Sequence, residues 1–138
     1  MNKTFLVAWI ALFVAWMAGS FVVHGTLLYN DYAALPNLFR PPAEAEQHMA
    51  FMLLAHVIMA GAFTWIYARV RGTGDWMPQG IQFGIAAALM TVVPTYMIYY
   101  VVQPMPAGSV IKQILFDGAL VVILGMLVAF FYRKPASA

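Results

Sequence analysis

Four apolar runs, each long enough to cross a bilayer, take up most of this chain and leave few folds open to it. Inside hydrocarbon every backbone N–H and C=O must be paired within the protein, so a span is either a helix or a strand of a closed barrel. The runs extend from about Thr4 to Leu28, Met49 to Tyr67, Pro78 to Val102 and Val110 to Tyr132. They are too long for strands and lack strict alternation, so they read as helices. Pro42 and Pro78 suit a first helical turn and Ser109 a cap. The predicted helices therefore cover about 4–28, 42–70, 78–102 and 109–132.

The expected fold is all-α: one integral membrane four-helix bundle, up-down-up-down, filling residues 1–138 as a single transmembrane domain. Composition fits, since only 9% of residues are charged, where a soluble domain carries about a quarter. The first run resembles a signal peptide, with Lys3 ahead of an apolar stretch ending at Ala18-Gly19-Ser20. The stretch continues through Phe21, Val22 and Val23, so it reads as an uncleaved first span. The absence of cysteine excludes disulfides, iron–sulfur clusters and thiolate zinc. A net charge of +2 without a basic run gives no footing for nucleic acid.

Charge orients the spans. Lys3, Arg69, Arg71, Arg133 and Lys134 fall on one side, against Arg40 and Lys112 on the other. The positive-inside rule then puts both termini in the cytoplasm. Tyr67, Trp76 and Tyr132 mark the inner interface, and Tyr29, Tyr32, Tyr99 and Tyr100 the outer one. The outer loop from Asn30 to His48 carries Leu35, Leu38 and Phe39, which favour its folding against the bundle mouth. Glu44 and Glu46 suit the first turn of the next helix.

Small residues mark the expected seams. Ala8, Ala11, Ala15, Ala18, Val22 and Gly25 form a stripe on the first helix, and Gly80, Gly84, Ala88, Thr91 and Thr95 another on the third. Lipid supplies no hydrophobic drive between helices, so close backbone approach holds them together. Either stripe can also dock a neighbouring subunit. Pro94 removes one backbone bond within the third helix, predicting a kink near Met90.

The ionisable residues within the spans all fall in the outer half. His24 lies about 7 Å, and His56 about 11 Å, below the outer end of its span. Asp117 enters the fourth helix from the same side, where Thr95, Tyr96 and Tyr99 end the third. A carboxylate in a membrane helix costs about 2.5–3.5 kcal/mol on insertion scales, so Asp117 needs a partner. The candidates are His56, His24, Tyr96, Tyr99 and Lys112, with His56 preferred for its matching depth. Four uses of this cluster stay open. They are a structural contact that fixes helix register, a relay for protons or a small solute, a b-type haem held by His24 and His56, and a metal on the same histidines.

The stretch Gly19-Ser20-Phe21-Val22-Val23-His24-Gly25-Thr26-Leu27-Leu28-Tyr29-Asn30-Asp31-Tyr32 resembles a family of small, uncharacterised bacterial inner-membrane proteins with four helices. Leu38-Phe39-Arg40, Leu54-Ala55-His56, Val93-Pro94-Thr95-Tyr96 and Lys112 through Asp117 carry the same likeness. The resemblance covers most of the chain, implies the same topology and polar positions, and brings no activity with it.

No nucleophile elbow, acidic pair or phosphate-cradling glycine loop is present, so the chain reads as non-catalytic. The leading expectation is an accessory or assembly subunit of a larger bacterial membrane complex. The alternative is an autonomous binding or transport unit built on the outer polar cluster. Expected partners are the lipid bilayer and either other membrane subunits or further copies of the chain as a homo-oligomer.

Overall fold

The computed structural model describes residues 2–133 and is helical in every regular element among them. Lys134, counted above among the basic residues, lies outside this range. Four helices are long and apolar enough to cross a membrane: Lys3–Leu27, Met49–Val70, Trp76–Val102 and Ala107–Phe131.

Helix α1 (Lys3–Val22) starts at Asn2, whose side chain accepts a hydrogen bond from the Thr4 N–H. The side chain satisfies one of the donors that a helix start leaves open. The helix then widens into a π-helical turn, Val23–Leu27, closed by the Leu28 N–H on the Val23 carbonyl at 2.9 Å. In an α-helix, residues five apart point about 140° away from each other. The wider turn brings Val23 and Leu28 to one side, and both are buried. A short α2 (Tyr29–Ala33) comes next, and Phe39 of the loop beyond it packs on Tyr32 at a ring distance of 4.6 Å.

The helix expected over 42–70 is two. Proline at the first turn starts α3 (Pro42–Gln47), and α4 runs Met49–Val70. His48 makes the break. Its Nδ1–H donates to the Glu44 carbonyl, which a continuous helix would give to the His48 amide; that amide bonds Ala45 instead. Helix α5 (Trp76–Val102) opens at the 71–75 turn, where Gln79 caps backbone groups of Gly72 and Gly74. Pro94 sits within it, and Thr91 donates to the Ala87 carbonyl at 2.7 Å. Helix α6 (Ala107–Phe131) begins after Pro106, so Ser109 is not its cap.

Helices α5 and α6 pack backbone to backbone. A Cβ on Gly84 would lie 2.6 Å from Val122 Cα, and one on Gly80 2.7 Å from the Gly125 carbonyl oxygen. Contacts pair Gly80 with Gly125 and Tyr96 with Asp117, so the two helices run in opposite directions. The seam on α1 differs from expectation. Ala11 and Ala15 are half-buried, but Ala18 and Gly25 are exposed. The buried line instead runs through Ala8, Leu12 and Val23, with Gly19 beneath Leu120. Against α4, the Trp9 ring lies over Gly61 and its N–H bonds the Val57 carbonyl at 2.8 Å. Leu12, Ala60, Leu124 and Val128 fill the core, and Trp16, Phe63, Phe83 and Tyr67 close it toward the Arg71 end.

Candidate functional site

Helix α6 carries Ser109, Gln113 and Asp117 four residues apart, which puts all three on one face. All three are buried. That face meets the π-helical turn of α1, helix α2 and the final turns of α5. A π-turn inside a membrane helix is a frequent companion of a functional site, and here it holds His24 against α6.

Asp117 receives two donors. Tyr96 Oη–H from α5 donates to Oδ2, and His24 Nε2 lies 3.3 Å from Oδ1. His24 Nδ1 is 2.7 Å from the Tyr32 hydroxyl, whose ring stacks on the imidazole. Gln113 Nε2 donates to that hydroxyl at 3.1 Å. One sequence of donors is consistent throughout: Gln113 Nε2–H to Tyr32, Tyr32 O–H to His24 Nδ1, His24 Nε2–H to Asp117. Gln113 Oε1 is buried and has no hydrogen-bond partner among the described residues. The His24 side chain is 35% exposed and so forms the open edge of an otherwise enclosed chain.

A second pair clasps α2 to α6. Lys112 Nζ donates to both Asp31 oxygens at 2.9 Å, and Ser109 donates to Oδ1 at 3.1 Å. The Lys112 hydrogen bond holds the Asp31 carboxyl below the usual carboxylate range, despite some desolvation. Burial pushes the Tyr32 phenol above its ordinary value, so at neutral pH it keeps its proton and can both donate and accept.

The expected partner of Asp117 was His56, and the structure places it elsewhere. His56 Nδ1–H donates to the Met52 carbonyl at 2.8 Å, and its Nε2 meets the Ser20 hydroxyl at 3.2 Å. His24 and Tyr96 hold the carboxylate. Lys112 turns to Asp31. Thr95 is exposed and stands outside the chain, and Tyr99 meets it only through an edge contact with the Tyr96 ring. Tyr32, Gln113, Asp31 and Ser109 were absent from the sequence candidates. The four-residue spacing of 109, 113 and 117 was the signal that points to two of them.

Both ring nitrogens of His24 and of His56 are engaged within the chain, so a haem or metal bond would have to displace Asp117 or Tyr32 from His24, or Ser20 or the Met52 carbonyl from His56. Among the described residues no three or more metal-binding side chains converge. No family model, curated protein or solved structure matches the chain.

Proposed function

We propose that the chain is a non-catalytic, multi-pass protein of a bacterial inner membrane whose His24–Asp117 pair binds and releases a proton from the outer side. Both termini are then cytoplasmic, on the five-to-two division of basic residues. The observation that carries the reading is the hydrogen-bond chain from Asp117 to the partnerless oxygen of Gln113. Two of its bonds, Gln113 to Tyr32 and Tyr32 to His24, can reverse when one proton is added. Tyr32 passes its hydroxyl proton to His24 Nδ1 and takes a replacement on its oxygen from water on the outer side. Nδ1–H then donates to Tyr32, and the Tyr32 hydroxyl donates to Gln113 Oε1 once the amide has turned. The chain gains one proton, and the resulting imidazolium is neutralised by the Asp117 carboxylate. Histidine suits this role because its charge changes between about pH 5 and pH 8.

The site is fitted to uptake and release on one side. From Gly118 to Phe131, α6 carries no ionisable residue, and its buried positions are Val121, Leu124, Gly125, Val128 and Ala129. A path through the bundle would need further relay groups there.

The test uses protein with ¹⁵N-labelled histidine in sealed vesicles, its orientation established by thiol labelling of Glu44→Cys. Lowering the external pH from 8 to 5 should convert the His24 signal from the neutral to the cationic form. A His24 signal unmoved at pH 5 refutes the site, and a response only to acid on the face opposite position 44 refutes the outer access.

A second reading, a subunit of a larger assembly or a homo-oligomer, draws on one feature. Residues 49–55 of α4 are all exposed, and residues 89–102 of α5 include no buried residue. Phe51, Leu54, Met97, Ile98 and Val101 on these stretches suit lipid and partner helices alike.

A further inference from the structure

We propose that the cleft at the Arg71 end binds the phosphate of an anionic phospholipid headgroup. Two adjoining recesses of about 460 Å³ and 270 Å³ lie beside the 71–75 turn, and Tyr67, Arg71, Gly72, Gly74 and Gln79 line both. The smaller adds Tyr132 and Arg133 from the end of α6, with Asp75 on its wall. Spans α4 and α6 stop at Val70 and Phe131, so the cleft opens at the level where headgroups lie.

Three groups suit a phosphate there. Arg71 is fixed by one bond from its guanidinium to the Tyr132 carbonyl at 2.9 Å, and the group lies 4.8 Å from the Tyr132 ring centre. Its other N–H donors have no partner among the described residues and can meet an anion. Arg133 stacks on Phe130, with its guanidinium carbon 3.8 Å from the ring centre. The third group is the Tyr132 hydroxyl, which is buried and has no hydrogen-bond partner among the described residues. A buried donor without an acceptor is costly, and a phosphate oxygen paired with the Arg71 guanidinium beside the Tyr132 ring would accept from it. Burial pushes the Tyr132 phenol up against the opposing pull of Arg71, so it remains a donor. The two arginines outweigh Asp75, leaving the lining with net positive charge. Basic pockets between spans are a known mode of anionic-lipid recognition.

The probe is thermal unfolding of the full chain in mild detergent, titrated with phosphatidylglycerol, phosphatidylcholine or inorganic phosphate. Phosphatidylglycerol at about ten times its dissociation constant should raise the wild-type midpoint by about 3–5 °C. Phosphatidylcholine should raise it by less than half of that. Tyr132→Phe removes an unpartnered group, so its midpoint without lipid should equal or exceed wild type while the phosphatidylglycerol increment falls by half or more. Arg133→Gln, which breaks no side-chain hydrogen bond among the described residues, should lose most of the increment. Arg71→Gln should lose it too, from a lower starting midpoint. Equal shifts with both lipids, or a full increment in both Tyr132→Phe and Arg133→Gln, overturn the site. An equal shift with inorganic phosphate overturns its assignment to lipid.

Discussion

Replacing Gly125 with alanine should destabilise the protein more than cutting Leu89 back to alanine, although it adds one methyl and the other removes three carbons. A Cβ at Gly125 would meet the Gly80 carbonyl oxygen and lie 2.8 Å from Gly84 Cα and N. These are main-chain atoms of α5. They cannot rotate away as a side chain can, so the helices would have to part along the seam. Overpacking of this kind costs about 1–3 kcal/mol. In a membrane the loss is not recovered by hydrophobic contact elsewhere, because close packing is itself what holds the helices together. Leu89 is 62% exposed and touches little, so its truncation should stay within about 0.5 kcal/mol. Gly118 is the internal control. Nothing lies within 4 Å of a Cβ there, and alanine should be neutral or stabilising by up to about 1 kcal/mol through helix propensity. Thermal midpoints in detergent should rank Gly118→Ala highest, Leu89→Ala next and Gly125→Ala lowest. If Gly118→Ala and Gly125→Ala fall together, the close approach of α5 and α6 is wrong.

Gly80 and Gly84 were legible as a seam in the sequence, and so was the burial of Asp117. Its choice of His24 over His56 was not. Depth along a helix comes from counting residues at a fixed rise, and that placed His24, His56, Tyr96 and Asp117 near one level. Direction around the helix is the missing coordinate. A soluble helix reveals it through a polar face, but these spans are apolar on nearly every side, so the pattern names no inward face. On α1 the small-residue stripe through Ala18 and Gly25 lay about one residue's rotation from the line through Leu12 and Val23 that is in fact buried.

The π-helical turn compounds this. It inserts one residue into the helix and so rotates the residues beyond it by about 100° relative to a regular continuation. No residue type in Val23-His24-Gly25-Thr26-Leu27 announces it. The break at His48 was hidden for a related reason: it depends on a side chain capturing the Glu44 carbonyl, which is a three-dimensional choice. Tyr32 has the character of an interface aromatic, and its place in the polar chain depends on α2 folding back to lay it on the His24 ring.

Asp117→Leu should lower stability markedly while Asp117→Asn leaves it within about 1 kcal/mol of wild type. Leucine matches the apolar character of α6 and removes the cost of a carboxylate in the span. By composition alone it should help. The site argues the opposite, because two donors end on that carboxylate: Tyr96 Oη–H and His24 Nε2–H. Each buried donor left without an acceptor costs about 1–3 kcal/mol. His24 is partly exposed and can find another acceptor, so its share sits at the low end. Tyr96 packs between α5 and α6 and has no such recourse. Asparagine keeps one carbonyl oxygen for one donor, and its amide can donate to the Tyr96 oxygen once that hydroxyl turns. A double variant separates the two contributions. Against the Asp117→Leu background, Tyr96→Phe removes the stranded hydroxyl and should restore part of the loss, whereas in the wild type the same change should only destabilise. The measurement is the unfolding midpoint in detergent at neutral pH for the five proteins. Leucine at 117 as stable as asparagine, or no recovery in the double variant, would mean that Tyr96 and His24 are not held by this carboxylate, and the proton site would lose its anchor with them.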